Sequence, residues 1–225
     1  MIASQLVLPR IVPSIAPLDV AFAAGSMTAV VGPNGCGKST LLSVLCGLLQ
    51  PRAGRVELGG FDIARMPTAE RAQHIAWVAS TPPRGSALSV RAALELAARC
   101  GPATGAVSTE TILDQLGLMA YADTALDRLS DGWAQRAMIA RALAQNTRVI
   151  ALDEPTAFLD LPATVAVFAA LEVALNQGRT VILSSHDFTA LERSKKVTNT
   201  LLFSRSHIEH MAGFDAAVVS KGLLA

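Results

Sequence analysis

Charge is scarce in this chain. Charged residues make up only 16% of its 225 residues, the net charge is +1, and no basic run or basic patch interleaved with aromatics occurs. Direct binding of nucleic acid is not expected on that ground. A long unbroken apolar run is missing as well: the longest charge-free stretch, Val20 to Gly37, contains four glycines, Pro33 and Asn34. It is too broken to form a transmembrane helix. The three cysteines, Cys36, Cys46 and Cys100, are odd in number and lack metal-ligand spacing. They exclude a disulfide framework and a zinc site, and read as free thiols of a reducing compartment. The start, MIASQLVLPRIVP, has no basic n-region, and Pro9 and Pro13 interrupt its apolar residues. No signal peptide is read there, and the chain is expected to stay in the cytosol. No Asn-Lys-x-Asp element for reading a guanine base and no internal repeat is present, and no fused regulatory domain is expected.

What is present begins with Gly32, Pro33, Asn34, Gly35, Cys36, Gly37, Lys38, Ser39 and Thr40, a phosphate-binding loop. Its glycines let successive N–H groups point at phosphate oxygens with no Cβ in the way. Lys38 can reach the β- and γ-phosphates, and the Ser39 hydroxyl can ligate Mg²⁺. The context fits. Thr28 to Val31 reads as a buried strand, and Lys38 to Leu49 as a helix with Leu41, Leu42, Leu45 and Leu48 at helical spacing. The phosphates then sit at a helix N-terminus. Cys36 inside the loop has two readings: a thiol of lowered pKa beside Lys38, or a small filler in place of alanine.

Two further apolar runs carry chemistry at their ends. Val149 to Leu152 leads straight into Asp153 and Glu154, and Thr180 to Leu183 into Ser184, Ser185 and His186. Continuous apolar strands separated by helical stretches imply a parallel sheet covered on both faces, with ligands beyond the carboxyl ends of its strands. The loop, Asp153, Glu154 and His186 are therefore expected on one edge. Asp153 suits Mg²⁺, through a water, and Glu154 suits orientation and activation of an attacking water. His186 is expected to contact the γ-phosphate and position that water. Lys38, Glu154 and His186 are the catalytic candidates; Ser39 and Asp153 are the metal candidates.

With Leu129-Ser130-Asp131-Gly132-Trp133 and the run ALDEPTAFLD added, the chain resembles the nucleotide-binding subunits of ATP-binding cassette (ABC) transporters. The resemblance runs from about Leu18 to the C-terminal helix. In its terms Gly32–Thr40 is the Walker A loop, Val149–Glu154 the Walker B strand, Asp160 the D-loop aspartate, His186 the switch histidine and Leu129–Gln135 the signature motif. The stretch MIARALAQNTRVIALDEPTAFLDLP is most similar to ATPases of ferric-siderophore, haem and cobalamin importers. The implied fold is α/β: a P-loop core with a mostly parallel sheet and flanking helices, an antiparallel β edge and a small helical lobe. The implied ligands are ATP and Mg²⁺. Two chains, a homodimer, are implied to sandwich two ATP molecules, with Ser130 and Gly132 at the N-terminus of a helix that faces the partner's γ-phosphate. Ser130 is the expected N-cap. The implied partners are integral-membrane permease subunits and, indirectly, a substrate-binding protein, with the chain peripheral on the cytoplasmic face of the inner membrane.

Three departures from the family pattern stand out. Ser80 follows the strand Ile75–Ala79 where a metal-coupled glutamine is usual, which implies weaker Mg²⁺ coupling. Asp131 and Trp133 replace a glycine and a polar residue of the signature; Asp131 is expected to point away from the phosphate, and Trp133 either packs or faces the membrane partner. Leu6 to Pro17 holds no aromatic to stack an adenine, and Arg10 near that place is either a stacking guanidinium or a surface arginine.

A single cassette domain is expected over 1–225, with a core of about 1–80 and 131–225 and a helical lobe of about 81–130. In the core, Arg55 to Leu58 is a candidate edge strand. Val90 to Ala98 and Thr109 to Leu116 are the lobe's helices. Thr81-Pro82-Pro83-Arg84-Gly85 is either a docking loop for the membrane subunit or a rigid surface turn. Lys196 to Phe203 reads as an outer strand and Asp215 to Lys221 as a closing helix. An importer ATPase is the leading function; a soluble cassette assembly factor and an exporter ATPase are the alternatives. The missing aromatic predicts loose discrimination of the base: GTP should be turned over with a kcat/KM comparable to that for ATP, checked by phosphate release with each nucleotide.

Overall fold

The computed structural model describes residues 1–9, 16–83, 85–102, 107–204 and 207–224. Arg10 and Arg84, singled out above, lie outside them. The chain opens with β1 (Ile2–Val7) and β2 (Leu18–Ala21), enters β3 (Met27–Val31) and passes through the glycine loop into α1 (Lys38–Leu45). β4 (Ala53–Leu58) and β5 (Phe61–Asp62) return to β1 and complete an antiparallel sheet of order β2-β1-β4-β5. The short α2 (Thr68–Ala72) leads to β6 (Ile75–Val78), then to α3 (Val90–Cys100), α4 (Thr109–Gln115) and α5 (Asp131–Ala144). β7 (Val149–Leu152), α6 (Leu161–Asn176), β8 (Thr180–Ser184) and α7 (Phe188–Ser194) follow, and β9 (Val197–Phe203), β10 (Ile208–Ala212) and α8 (Ala216–Leu224) close the chain. The second sheet has the order β10-β9-β3-β8-β7-β6, parallel throughout except for β10.

Every residue of β3, β7 and β8 is buried. The period-2 alternation of strand side chains divides them between two cores. Met27, Ala29 and Val31, Ile150 and Leu152, and Val181 and Leu183 point to the face packed by α3 to α7. Val30, Val149, Ala151 and Ile182 point the other way, onto α1 and the antiparallel sheet. Apolar side chains on both faces are what a parallel sheet between helices requires. The lobe's helices, with Leu94, Leu113 and Leu116, belong to the same core as α5 and the sheet. Among the described residues no helix is long and apolar enough to cross a membrane.

Two expectations are corrected. The helix expected over Lys38–Leu49 ends at Leu45, because Gly47 takes the left-handed φ of 66° that closes a helix, leaving Leu48 outside and exposed. The strand expected to be outermost, β9, has β10 paired along its free side from Asn199 to Phe203. The alternation in β10 is weak because it is exposed at three of its five positions, so its sequence carries little apolar signal.

The C-terminal end of α5 depends on a buried cation. Arg179, only 6% exposed, donates from Nε to the Thr147 carbonyl (2.9 Å), and from its two terminal nitrogens to the Leu143 and Ala142 carbonyls (3.3 Å each). Helix-end carbonyls lack intrahelical partners, and a cation there also meets the negative end of the helix dipole. Burial lowers the Arg179 pKa to about 10, and the guanidinium still keeps its proton at neutral pH. Arg179→Met should lower the unfolding free energy by about 3 kcal/mol, because carbonyls are left without donors; urea unfolding followed by circular dichroism checks it.

Candidate functional site

The glycine loop joins the end of β3 to α1, and Lys38 is the first residue of that helix. Its side chain is buried, with Nζ donating to the carbonyls of Gly32 (2.9 Å) and Pro33 (3.2 Å). The ammonium thus lies within the concavity of the loop, 3.9 Å from Glu154 Oε1. Gly37 is the helix N-cap, and Ser39 in the first turn is exposed. Cys36 is half-buried, and desolvation raises its thiol pKa, outweighing the opposing pull of the Lys38 charge and of its backbone hydrogen bonds. The lowered-pKa reading of Cys36 is therefore corrected, and the filler reading stands. Burial raises Cys46 further, to about 12, whereas Cys100 is exposed; all three are free thiols.

The ends of β7 and β8 meet this loop from the neighbouring strands. Asp153, 3% exposed, continues the ladder by donating its N–H to the Val78 carbonyl (2.9 Å), and Ser185 donates likewise to Val30 (3.2 Å). Glu154 then turns into the left-handed region with φ of 47°. That conformation costs a non-glycine residue about 1 kcal/mol and turns the chain sharply at the strand end. The Glu154 carboxylate accepts from the His186 backbone N–H (3.2 Å), and its Oε2 lies 2.7 Å from His186 Nδ1. The His186 ring itself stays 64% exposed, with its far edge open. Lys38, Asp153, Glu154 and His186, read separately from the sequence, therefore converge on one sheet edge. Ser80 lies on the same edge, two residues beyond β6, the strand paired with β7.

A residue to which the sequence reading gave no role ties the Asp153 carboxylate to the Glu154 backbone. Ser184 Oγ donates to Asp153 Oδ1 (2.6 Å) and accepts from the Glu154 N–H (2.9 Å). Its signal was a hydroxyl closing an otherwise apolar, fully buried strand, a position where an unpaired polar group is costly.

The signature residues build a separate feature. Ser130 occupies the N-cap of α5 with extended backbone, as expected, and its hydroxyl makes no capping bond. Gly132 sits so close to the following loop that a Cβ there would lie 2.7 Å from the Phe158 carbonyl oxygen. Only glycine permits that approach. Trp133 packs, with its ring centroid 4.2 Å from that of Tyr121 and the Arg136 guanidinium 3.9 Å over its face. Asp160 caps α6 by accepting from the Ala163 N–H (2.9 Å). Ser130, Gly132, Trp133, Phe158 and Asp160 frame a cavity of about 240 Å³, and none of its lining residues belongs to Gly32–Thr40.

A third concavity, of about 570 Å³, runs beside β6 and α3, lined among others by Trp77, Thr81, Pro83, Leu88, Leu96 and Arg141. Leu88 and Leu96 are 46% and 54% exposed, and Arg141 donates to the Trp77 carbonyl (2.7 Å). Burial lowers the Arg141 pKa.

Comparison with known proteins adds independent observations. Residues 15–157 match the family model described as ABC transporter. The chain is 34% identical over 184 residues to the iron(3+)-hydroxamate import ATP-binding protein FhuC of Bacillus subtilis, covering 78% of this chain and 68% of that one. It is 31% identical over 219 residues to the vitamin B12 import ATP-binding protein BtuD of Vibrio cholerae, covering 92% and 86%. Among solved structures, a dimeric bacterial ABC transporter cassette superposes with a TM-score of 0.81 over 95% of this chain and 99% of that one, at 22% identity.

The thiols make the geometry testable. N-ethylmaleimide at neutral pH should modify exposed Cys100 first, with Cys36 reacting only as pH rises above the usual thiol pKa of about 8.5. Mass spectrometry of the two peptides across a pH series measures the order, and faster modification of Cys36 at neutral pH would contradict the site as described.

Proposed function

The chain belongs to the ABC transporter family, and we infer that it is the ATP-binding and ATP-hydrolysing subunit of an importer for an iron chelate or a cobalamin-type substrate. The observation that carries the reading is the convergence of Lys38, Glu154 and His186 beside Asp153 on the carboxyl edge of the parallel sheet. The cargo class follows from the relatives' names alone, since cargo is handled by other subunits.

The residues divide the work as follows. N–H groups of Gly35 to Thr40, at the N-terminus of α1, cradle the phosphates, and Lys38 transfers its donors from the loop carbonyls to the β- and γ-phosphates. Glu154, held by His186, orients the attacking water and takes its proton as the bond to the γ-phosphorus forms and the bridge to ADP breaks. His186, with its exposed ring edge, contacts the γ-phosphate. Among the described residues no group of three or more His, Cys, Asp or Glu side chains is placed to hold a metal. A hard cation at this edge would therefore draw most of its ligands from phosphates and water, the usual manner of Mg²⁺, and the oxygen donors Asp153 and Ser39 fit it. Bound there, Mg²⁺ would neutralise charge on the β- and γ-phosphates.

A second copy completes each site. The Ser130 hydroxyl and the N–H groups that open α5 are suited to a γ-phosphate held by a partner's loop, and Asp160 to the contact between copies. ATP then favours the closed dimer over the open one, and hydrolysis releases it. We assign the core to about 1–80 and 131–225 and the lobe to about 81–130. A permease segment would dock in the groove rimmed by Thr81 and Pro83, where Leu88 and Leu96 offer apolar area. In this reading the subunit sits peripherally at the cytoplasmic face of the membrane.

Glu154→Gln should reduce turnover by about 100-fold or more while preserving ATP binding, and should yield an ATP-dependent dimer on gel filtration. Tagged Glu154→Gln drawn from detergent-solubilised native membranes with ATP and Mg²⁺ is expected to bring a multi-span permease with it. A soluble partner without any integral membrane protein would favour an assembly factor instead.

A further inference from the structure

We propose that Ser184 is the positioning residue for both carboxylates of the site, so that one buried hydroxyl sets how tightly the divalent cation is held beside the nucleotide and how Glu154 is aimed. The inference rests on the ATPase reading above. It adds a role for Ser184, which the motif readings left without one.

Ser184 is the last residue of β8 and is fully buried. A hydroxyl has one proton, so its two short bonds have fixed directions: the proton goes to Asp153 Oδ1 at 2.6 Å, and a lone pair receives the Glu154 N–H at 2.9 Å. The first bond ends on an ionised acceptor and is of the stronger, charge-assisted kind. It occupies one lone pair of Oδ1 and fixes the plane of the carboxylate, so that Oδ2 is the oxygen with more capacity toward a cation. The second bond acts on the backbone. Glu154 at φ of 47° finds its N–H acceptor in the Ser184 side chain instead of a ladder carbonyl. That turn presents the Glu154 carboxylate to His186 and to Lys38. Removing the hydroxyl leaves Asp153 Oδ1 and the Glu154 N–H without this partner, and frees the metal-side carboxylate and the left-handed turn to relax together. Partners that orient a ligand in this way typically govern about 10- to 100-fold of metal affinity or activity.

The test uses the full chain with ADP, and Mn²⁺ as the probe. Mn²⁺ binding to the ADP complex is read from the paramagnetic resonance signal of free Mn²⁺, and ADP affinity is measured separately in EDTA. In Ser184→Ala the Mn²⁺ dissociation constant is expected to rise by about 10-fold or more and kcat to fall by a similar factor, with ADP affinity in EDTA unchanged. Ser184→Cys, close in volume but a weak donor, should fall between wild type and alanine; it carries the test alone if the alanine variant does not fold. Wild-type Mn²⁺ affinity and kcat in a variant with an unchanged melting temperature would overturn the proposal. If the wild type itself neither binds Mn²⁺ with ADP nor turns over ATP, the ATPase reading falls, and the proposal with it.

Discussion

The central strands are buried on both faces, and that constraint decides where chemistry can occur. Along β3, β7 and β8 no position can hold an unpaired charge, since helices cover one side and α1 with the antiparallel sheet covers the other. Charged side chains are admitted only where the strands stop. Because these strands are parallel, they stop on the same edge, and the glycine loop, Asp153, Glu154 and His186 are brought together by topology. The site is thus a by-product of the core. Its polar groups also satisfy the ends of the ladders: Asp153 bonds to Val78, Ser185 to Val30, and Ser184 to its two acidic neighbours.

Much of this was legible in the sequence because it is local. The loop, the buried strands and the residues at their ends follow from spacing and apolar runs within a few positions. The helix after the loop was read too long because Leu48 keeps helical spacing, although Gly47 had already ended the helix; a backbone constraint won over a side-chain pattern. The features that escaped depend on neighbours distant in the chain. Nothing near Arg179 announces that it will cap α5, whose last carbonyls lie more than thirty residues earlier. Ser184 likewise looks like the first polar residue after a strand until Asp153 is placed beside it. Gly132 read as part of a phosphate-facing helix end; its second duty, admitting the Phe158 carbonyl, appears only when the two loops are in contact.

The signature feature has the opposite character to the loop site. Around Lys38 and Asp153 the polar groups already have partners within the chain. At Ser130 the N-cap hydroxyl makes no capping bond, although the surrounding residues are fixed by Trp133 packing on Tyr121 and Arg136. A rigid frame around an uncommitted group is suited to a ligand delivered from outside. The division is the one that the dimer proposed above would require.

The buried cation at the far end of α5 gives this arrangement a mechanical reading. With 14 residues, α5 is about 21 Å long. One end is clamped by Arg179 against the base of β7, and the other carries Ser130. Over that length a tilt of about 5° at the root displaces the tip by about 2 Å, more than half the length of a hydrogen bond. In the dimer proposed above, slack at the root would blur the aim at the tip, so a guanidinium some 20 Å away (about the helix length) would help to set the angle at which Ser130 meets a partner's nucleotide.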